Sequence, residues 1–248
     1  MHRFYLPPEE CESVLLSLSE ADAHHARSVL RLLKDEEVQV LNGVGKILTC
    51  RVSEVTKKQV ILEKVRIDSL PALPCSVVLY QALPKARLIE DIIQKATELG
   101  IRKIVPVLSE RVVSRLDEVE AIQKQSKWQH VAVEAIKQCG SPWLPSVTKP
   151  ASIDAILRET ERCEFEVIGA LEASPWHLKL AIRKFLDKAQ KPPASAGFWV
   201  GPEGDFTDEE RAKIKNAGAL PVTLGSLVLR CETAAIYGLS VLNHEFQG

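Results

Sequence analysis

Residues 197–235, GFWVGPEGDFTDEERAKIKNAGALPVTLGSLVLRCETAA, contain a strand, a glycine-bearing loop and a helix, and then the same succession again. Gly197 to Gly201 is apolar enough for a buried strand, and Thr207 with Glu210 forms a T-x-x-E capping box that opens a helix over Asp208 to Ala217. Leu220 to Leu224 reads as a second buried strand, and a final helix is expected from Glu232 to Phe246. Strands alternating with helices imply an α/β domain with a mainly parallel sheet. In such sheets ligands bind beyond the carboxyl ends of the strands, which places the chemistry in the two loops.

The same alternation extends upstream. Cys75 to Ala82 is strand-like, Arg87 to Leu99 is an amphipathic helix ended by Gly100, and Ile101 to Val107 suits a buried parallel strand. A long helix is expected from Leu116 to Cys139, a strand over Phe165 to Leu171 and a helix over Pro175 to Ala189. Two prolines in Pro71 to Pro74 mark a linker, so the α/β domain spans 75–248. Before it the period changes to two: Arg3 to Leu6, Val38 to Leu41, Lys46 to Val55 and Val60 to Ile67 read as strands, with one helix opened by Ser19 and Asp22. So many short strands within 1–70 suggest a small β-barrel.

Composition narrows the classes. The chain has 248 residues, 32 Lys and Arg against 33 Asp and Glu, and a net charge of −1, so bulk charge does not announce nucleic acid. A local basic face remains compatible with that total. No run approaches the roughly 18 apolar residues of a membrane span, and the N-terminus lacks a leader pattern, so a cytoplasmic protein with no membrane partner is expected. The six cysteines form no CxxC pair and the histidines no HExxH, which points to free thiols and no metal.

Three loops are candidate ligand contacts: Gly169 to Glu172, GPEGDFTDEE from Gly201 to Glu210, and LGSLVLRCETAA from Leu224 to Ala235. Each also has a purely structural reading as a strand-to-helix turn, or for Arg230 and Glu232 as a surface ion pair. The combination of two Gly-bearing strand-end loops about twenty residues apart, without GxGxxG or GxxxxGK[ST], suits a nucleotide-like ligand held by loop backbone. A NAD or FAD dehydrogenase would carry the missing fingerprint.

Ordered matches then accumulate along the chain: RFYL (Arg3 to Leu6), His24 and His25 with Val29, Leu30 and Arg31, QKATELG (Gln94 to Gly100), Pro106 with Ser109, Glu110 and Arg111, Trp128, Glu134 with Gln138, GPEG, and the LG, LR and ET of the third loop. On these residues the chain resembles the bacterial ribosomal RNA small-subunit methyltransferase E family, which makes N3-methyluridine in 16S rRNA. The resemblance implies a PUA-like β-barrel RNA-binding domain over 1–70, and a trefoil-knotted SPOUT-type methyltransferase domain. It also implies S-adenosyl-L-methionine as cofactor, 16S rRNA or the small ribosomal subunit as partner, and a homodimer.

By the same resemblance the cofactor contacts are Leu171, Glu172, Gly201, Pro202, Glu203, Gly204, Leu224, Gly225, Leu229 and Arg230. Arg230 and Glu232 are the catalytic candidates, and Arg3, His24, Arg27, Arg31, Lys85 and Arg111 the RNA contacts. Two positions depart from the family pattern. Asp205 follows GPEG where glycine is common, which calls for a turn that Asp tolerates, such as a left-handed one. Ser141 follows Gly140 where the family tends to carry arginine, removing one expected RNA or phosphate contact. Methyltransferases of the same fold acting on tRNA or another rRNA base, and a non-catalytic RNA-binding assembly protein, are the alternatives.

Overall fold

The computed structural model describes residues 1–56, 58–85, 88–111, 116–159, 161–171 and 176–247. The chain divides into two units, one of residues 1–72 with 133–144, the other of 73–132 with 145–248. The division falls inside the proline linker. Residues 133–144, expected in the α/β domain, group with the first unit instead.

The first unit is a five-stranded sheet ordered β1-β3-β4-β5-β2. Its elements are β1 (His2–Tyr5), β2 (Leu15–Ser17), α1 (Glu20–Ser28), β3 (Glu37–Leu41), β4 (Lys46–Val55) and β5 (Val60–Ser69). Alternation puts Val38, Val40, Leu48, Cys50, Val52, Val60 and Leu62 inward, around Phe4 and Leu16. The expected hairpins are β3-β4 and β4-β5, both antiparallel, whereas β1 pairs parallel with β3, a partner far along the chain. The short β2, absent from the sequence expectation, pairs with β5. As expected, Ser19 caps α1, its Oγ accepting from Asp22 N at 3.1 Å.

Segment 133–144 completes this unit through its backbone. Arg3 Nη1 donates to the Gln138 carbonyl at 2.9 Å, and Trp143 Nε1 donates to the Pro71 carbonyl at 3.1 Å. Gly140, at φ +84, lies so close to Arg3 that a Cβ there would stand 2.8 Å from Cζ. Ser141, in place of the family's arginine, makes a local turn, its Oγ accepting from Trp143 N at 3.2 Å.

The second unit carries β6 (Ser76–Ala82), α2 (Leu88–Glu98), β7 (Lys103–Leu108), α3 (Glu118–Cys139, up to Ala132), β8 (Ser146–Val147), β9 (Ala151–Ser152), α4 (Ile153–Glu159) and β10 (Phe165–Gly169). It continues through β11 (Trp176–His177), α5 (Leu178–Ala189), β12 (Ser195–Val200), α6 (Asp208–Asn216), β13 (Leu220–Thr223) and α7 (Cys231–Phe246). The sheet order is β11-β13-β10-β12-β6-β7-β8, and β9 also pairs with β7. Every ladder in it is parallel. Buried strands such as Phe198-Trp199-Val200 read as apolar runs because helices cover them.

α7 packs against β12 and β6. Gly238 permits this: a Cβ there would fall 2.1 Å from Cε1 of Phe198 on β12. Toward the opposite end of the sheet, buried Glu166 accepts from the Trp199 indole at 2.6 Å, so its carboxylate is not left unpaired.

Candidate cofactor and active site

The carboxyl ends of β10, β12 and β13 and the start of α7 enclose a cavity of about 290 Å³. That is at the lower edge of the roughly 300–1,000 Å³ typical of small-molecule sites. Parallel register brings Gly169 beside Val222 and Phe198 beside Val167, so the three strand ends are level and their following loops meet.

Of the expected cofactor contacts, the structure brings together Leu171, Gly201, Pro202, Glu203, Leu224, Leu229 and Arg230 as lining residues. Glu172 lies outside the described residues. Gly204 and Gly225 stand in the same loops without lining the cavity. Gly225 has φ +146, a backbone demand that glycine answers, and no protein atom lies within 4 Å of where its Cβ would be. Gly201 is the tight position: a Cβ there would meet Asp205 Oδ1 at 2.8 Å and Phe206 N at 3.2 Å.

Asp205 occupies the left-handed region at φ +58, the turn its departure from glycine called for. Its Oδ1 accepts from Phe206 N at 2.7 Å and its Oδ2 takes an ion pair from Arg211 at 2.9 Å, so the side chain holds the turn it strains. The capping box is complete at Thr207 and Glu210. Glu210 is also buried and accepts from Glu110 N at 2.8 Å, tying α6 to the loop after β7.

From that loop Arg111 donates to the Gly204 carbonyl, and Glu203 Oε1 accepts from Lys85 N at 2.9 Å. Lys85 and Arg111 therefore stand at the GPEG loop.

Arg230 is the N-cap of α7 and lines the cavity while remaining exposed. Among the described residues its side chain has no hydrogen bond or ion pair, so the surface-pair reading with Glu232 falls away. Glu232 does not line the cavity; its Oε2 accepts from the Cys231 thiol at 3.4 Å. Burial, the hydrogen bond to Glu232 and the charge of Glu203 push the Cys231 thiol up to about 12. It is a neutral wall group at neutral pH, without a thiolate nucleophile to offer.

Val222, Leu227, Val228 and Ala234 also line the cavity, although none was named individually as a cofactor contact from the sequence. The signal for them was available, since they end β13 or fill the third loop. The apolar walls suit a flat ring and an alkyl chain, and loop backbone supplies polar partners, so the donor set fits a nucleoside with a sulfonium-bearing tail. Among the described residues no group of three or more ligating side chains could hold a metal ion, and no helix is long and apolar enough to cross a membrane.

The family profile for an RNA methyltransferase domain matches residues 71–243, and one for an RNA methyltransferase PUA domain matches residues 18–65. Ribosomal RNA small subunit methyltransferase E of Aquifex aeolicus is 30% identical over 98% of this chain and 99% of its own. The chain belongs to the ribosomal RNA small subunit methyltransferase E family.

Solved structures are similar to it over almost the whole chain. A Legionella pneumophila protein solved with the bound cofactor SAM matches at 32% identity and a TM-score of 0.86, covering 98% of this chain and 96% of that one. The methyltransferase E of Neisseria gonorrhoeae bound to S-adenosyl methionine matches at 28% identity and a TM-score of 0.84, covering 98% and 97%. As a methyltransferase E family member, the chain has the expected α/β fold with a parallel sheet behind an N-terminal PUA domain.

In the PUA unit the expected RNA contacts fare differently. His24 and Arg31 are exposed, Arg31 in a left-handed conformation at φ +54. Arg27 donates to the Thr56 carbonyl at 3.0 Å, and Arg3 spends Nε and Nη1 on Gln39 and the end of α3.

Proposed function

We propose that this protein methylates N3 of a uridine in 16S rRNA of the small subunit, using S-adenosylmethionine. The observation that carries the reading is the apolar cavity at three level strand ends with an unpartnered guanidinium on its rim. A non-catalytic assembly protein would leave that cavity without a role.

Gly201, Pro202, Leu224 and Leu229 hold the cofactor, which supplies an electrophilic methyl group when bound. The chain's own task is to place the acceptor in line and make N3 nucleophilic. Uridine N3 is a poor nucleophile until its proton passes to solvent, and the charge then spreads to O2 and O4; the new N3–methyl bond replaces the donor's carbon–sulfur bond, which would leave a neutral thioether. Arg230 stabilises that anion; Glu232, already turned toward Cys231, orients the α7 terminus.

His24, Arg27 and Arg31, with the free Nη2 of Arg3, contact RNA from the first unit, and Lys85 and Arg111 contact it from the second. The chain between β12 and α7 threads as the trefoil knot of the SPOUT type. A second copy of the chain covers the open side of the cavity. Leu227 and Val228, 78% and 75% exposed beside it, support this homodimer.

The deciding experiment is nuclease digestion and mass spectrometry of rRNA from a strain lacking the gene, before and after incubation with purified protein and labelled S-adenosylmethionine. Label recovered as N3-methyluridine is expected. Label at another base, or none, refutes the reading.

A further inference from the structure

Several cations of the second unit stand beside acids: Lys127 with Glu90, Lys149 with Glu118, Lys213 with Asp154, and Arg211 with Asp205. Helix α5 is different. It buries Leu178, Ala181 and Ile182 and turns Lys179, Arg183, Lys184 and Lys188 to solvent, with Lys191 exposed just beyond its end. Asp187 is the single acid among them. Among the described residues none of the five cations makes an ion pair.

This arrangement works against the helix. Lys179 with Arg183 and Lys184 with Lys188 are like-charged pairs at i,i+4, which repel. The first turn carries no acid to complement the helix dipole. The chain as a whole has a net charge of −1, so this local excess of positive charge is a patch and not a general property. Its natural complement is a row of phosphates.

The patch also has a place relative to the site. β11 leads into α5, and its Trp176 and His177 pair in register with Val222 and Thr223, both of which line the cavity. The cations therefore begin at the sheet edge beside the cavity and are spread over the solvent-facing half of a 12-residue helix, about 18 Å long at 1.5 Å per residue. Trp176 is 41% exposed, and Lys184 Nζ lies 3.5 Å from its ring centroid.

We propose that the solvent face of α5, with Trp176, is an RNA-contact surface on the catalytic unit itself. Lys179, Arg183 and Lys188 hold the phosphodiester backbone flanking the target nucleotide, and the Trp176 ring stacks on an unpaired base. The inference rests on the RNA-methylating reading of the cavity, and adds to it where on the catalytic unit the substrate strand runs.

The test uses the full-length protein and a 16S rRNA fragment, comparing wild type with the triple variant K179E/R183E/K188E and with K179Q/R183Q/K188Q. RNA affinity is titrated across salt concentrations, separately from methyl transfer and from S-adenosylmethionine binding. The charge-reversed variant is expected to weaken RNA binding at least tenfold. Its slope of log affinity against log salt should be shallower by about 2, three contacts at roughly 0.7 each for single strands. The glutamine variant should show the same change of slope with a smaller loss of affinity, and both should keep wild-type cofactor affinity. W176A should weaken binding with an unchanged slope. An unchanged RNA affinity and slope in the charge-reversed variant overturns the proposal. Because binding is read without transfer, the surface stands or falls on the slope even if the methyl group is found on another base, a result that would sink only the functional reading.

Discussion

Replacing Gly238 by alanine sets two effects of opposite sign against each other. In a helix interior, alanine is worth about 1 kcal/mol over glycine, so local propensity predicts a more stable protein. Packing predicts the reverse, since the new Cβ would stand 2.1 Å from Cε1 and 2.6 Å from Cζ of Phe198. Carbon atoms in contact settle at about 3.5–4.0 Å. Either α7 must lift from β12, or the fully buried Phe198 ring, which also lines the cavity, must move by more than an ångström. At so close an approach the upper part of the usual overpacking cost applies, about 2–3 kcal/mol. The net expectation is a loss of about 1–2 kcal/mol, or a melting temperature lower by about 2–8 °C for a chain of this size. Cofactor affinity should fall with it, since the displaced ring is part of the cavity wall. Thermal melts followed by circular dichroism and calorimetric titration of S-adenosylmethionine read both. The double variant Gly238→Ala with Phe198→Leu should recover part of each loss, because the two positions share one contact. A single variant that melts at or above wild type and binds the cofactor normally would refute the reasoning.

Arg230→Ala should leave cofactor affinity intact and slow single-turnover transfer on the order of a hundredfold, with only partial recovery in Arg230→Lys; wild-type transfer rates would remove Arg230 from the chemistry. Asp205→Gly should keep the loop and the cofactor affinity, whereas Asp205→Val, forced into the left-handed region without the Phe206 and Arg211 contacts, should lose at least about 1–2 kcal/mol in a denaturant melt. Burial pushes the Cys50, Cys75 and Cys231 thiols up to about 12 from an ordinary value of 9.0. The native state thus holds these protons longer than the unfolded chain, and their contribution is complete below pH 9 and declines as the pH rises toward 12. Melting temperatures should fall between pH 8.5 and 10.5, and less steeply in a variant with the three cysteines replaced by alanine; equal slopes would count against the assignment.

The α/β half was legible because its strands are apolar runs between capped helices, a pattern that survives without tertiary information. Thr207 with Glu210, and Ser19 with Asp22, announced their helices since capping depends only on neighbours in the chain. What escaped was non-local or too short to show a period: the parallel pairing of β1 with β3, and the two-residue strands β8, β9 and β11. Gly201 and Arg230, singled out in the sequence, do line the cavity, but glycine marks a backbone demand without naming its cause. Gly201 serves a tight turn beside the cavity, whereas Gly225 serves its own φ. Arg3 shows the converse, a residue picked out with the RNA contacts whose guanidinium is largely engaged by Gln39 and the end of α3.

The allotment of residues 133–144 to the first unit bears on the order in which the chain can fold as it is made. Ile136 is fully buried, and Gly43 and Gly45 take backbone hydrogen bonds with Leu144 and Pro142. The N-terminal sheet therefore leaves the ribosome before the segment that bonds to Gly43 and Gly45, and waits for about 70 further residues, several seconds at roughly 5–20 residues per second. During that interval β6, α2 and β7 emerge and begin to compete for apolar partners. The N-terminal unit is then not a cassette that can be cut at the linker and grafted elsewhere. Transplanting it requires carrying the end of α3 along, as a second segment with its own connection.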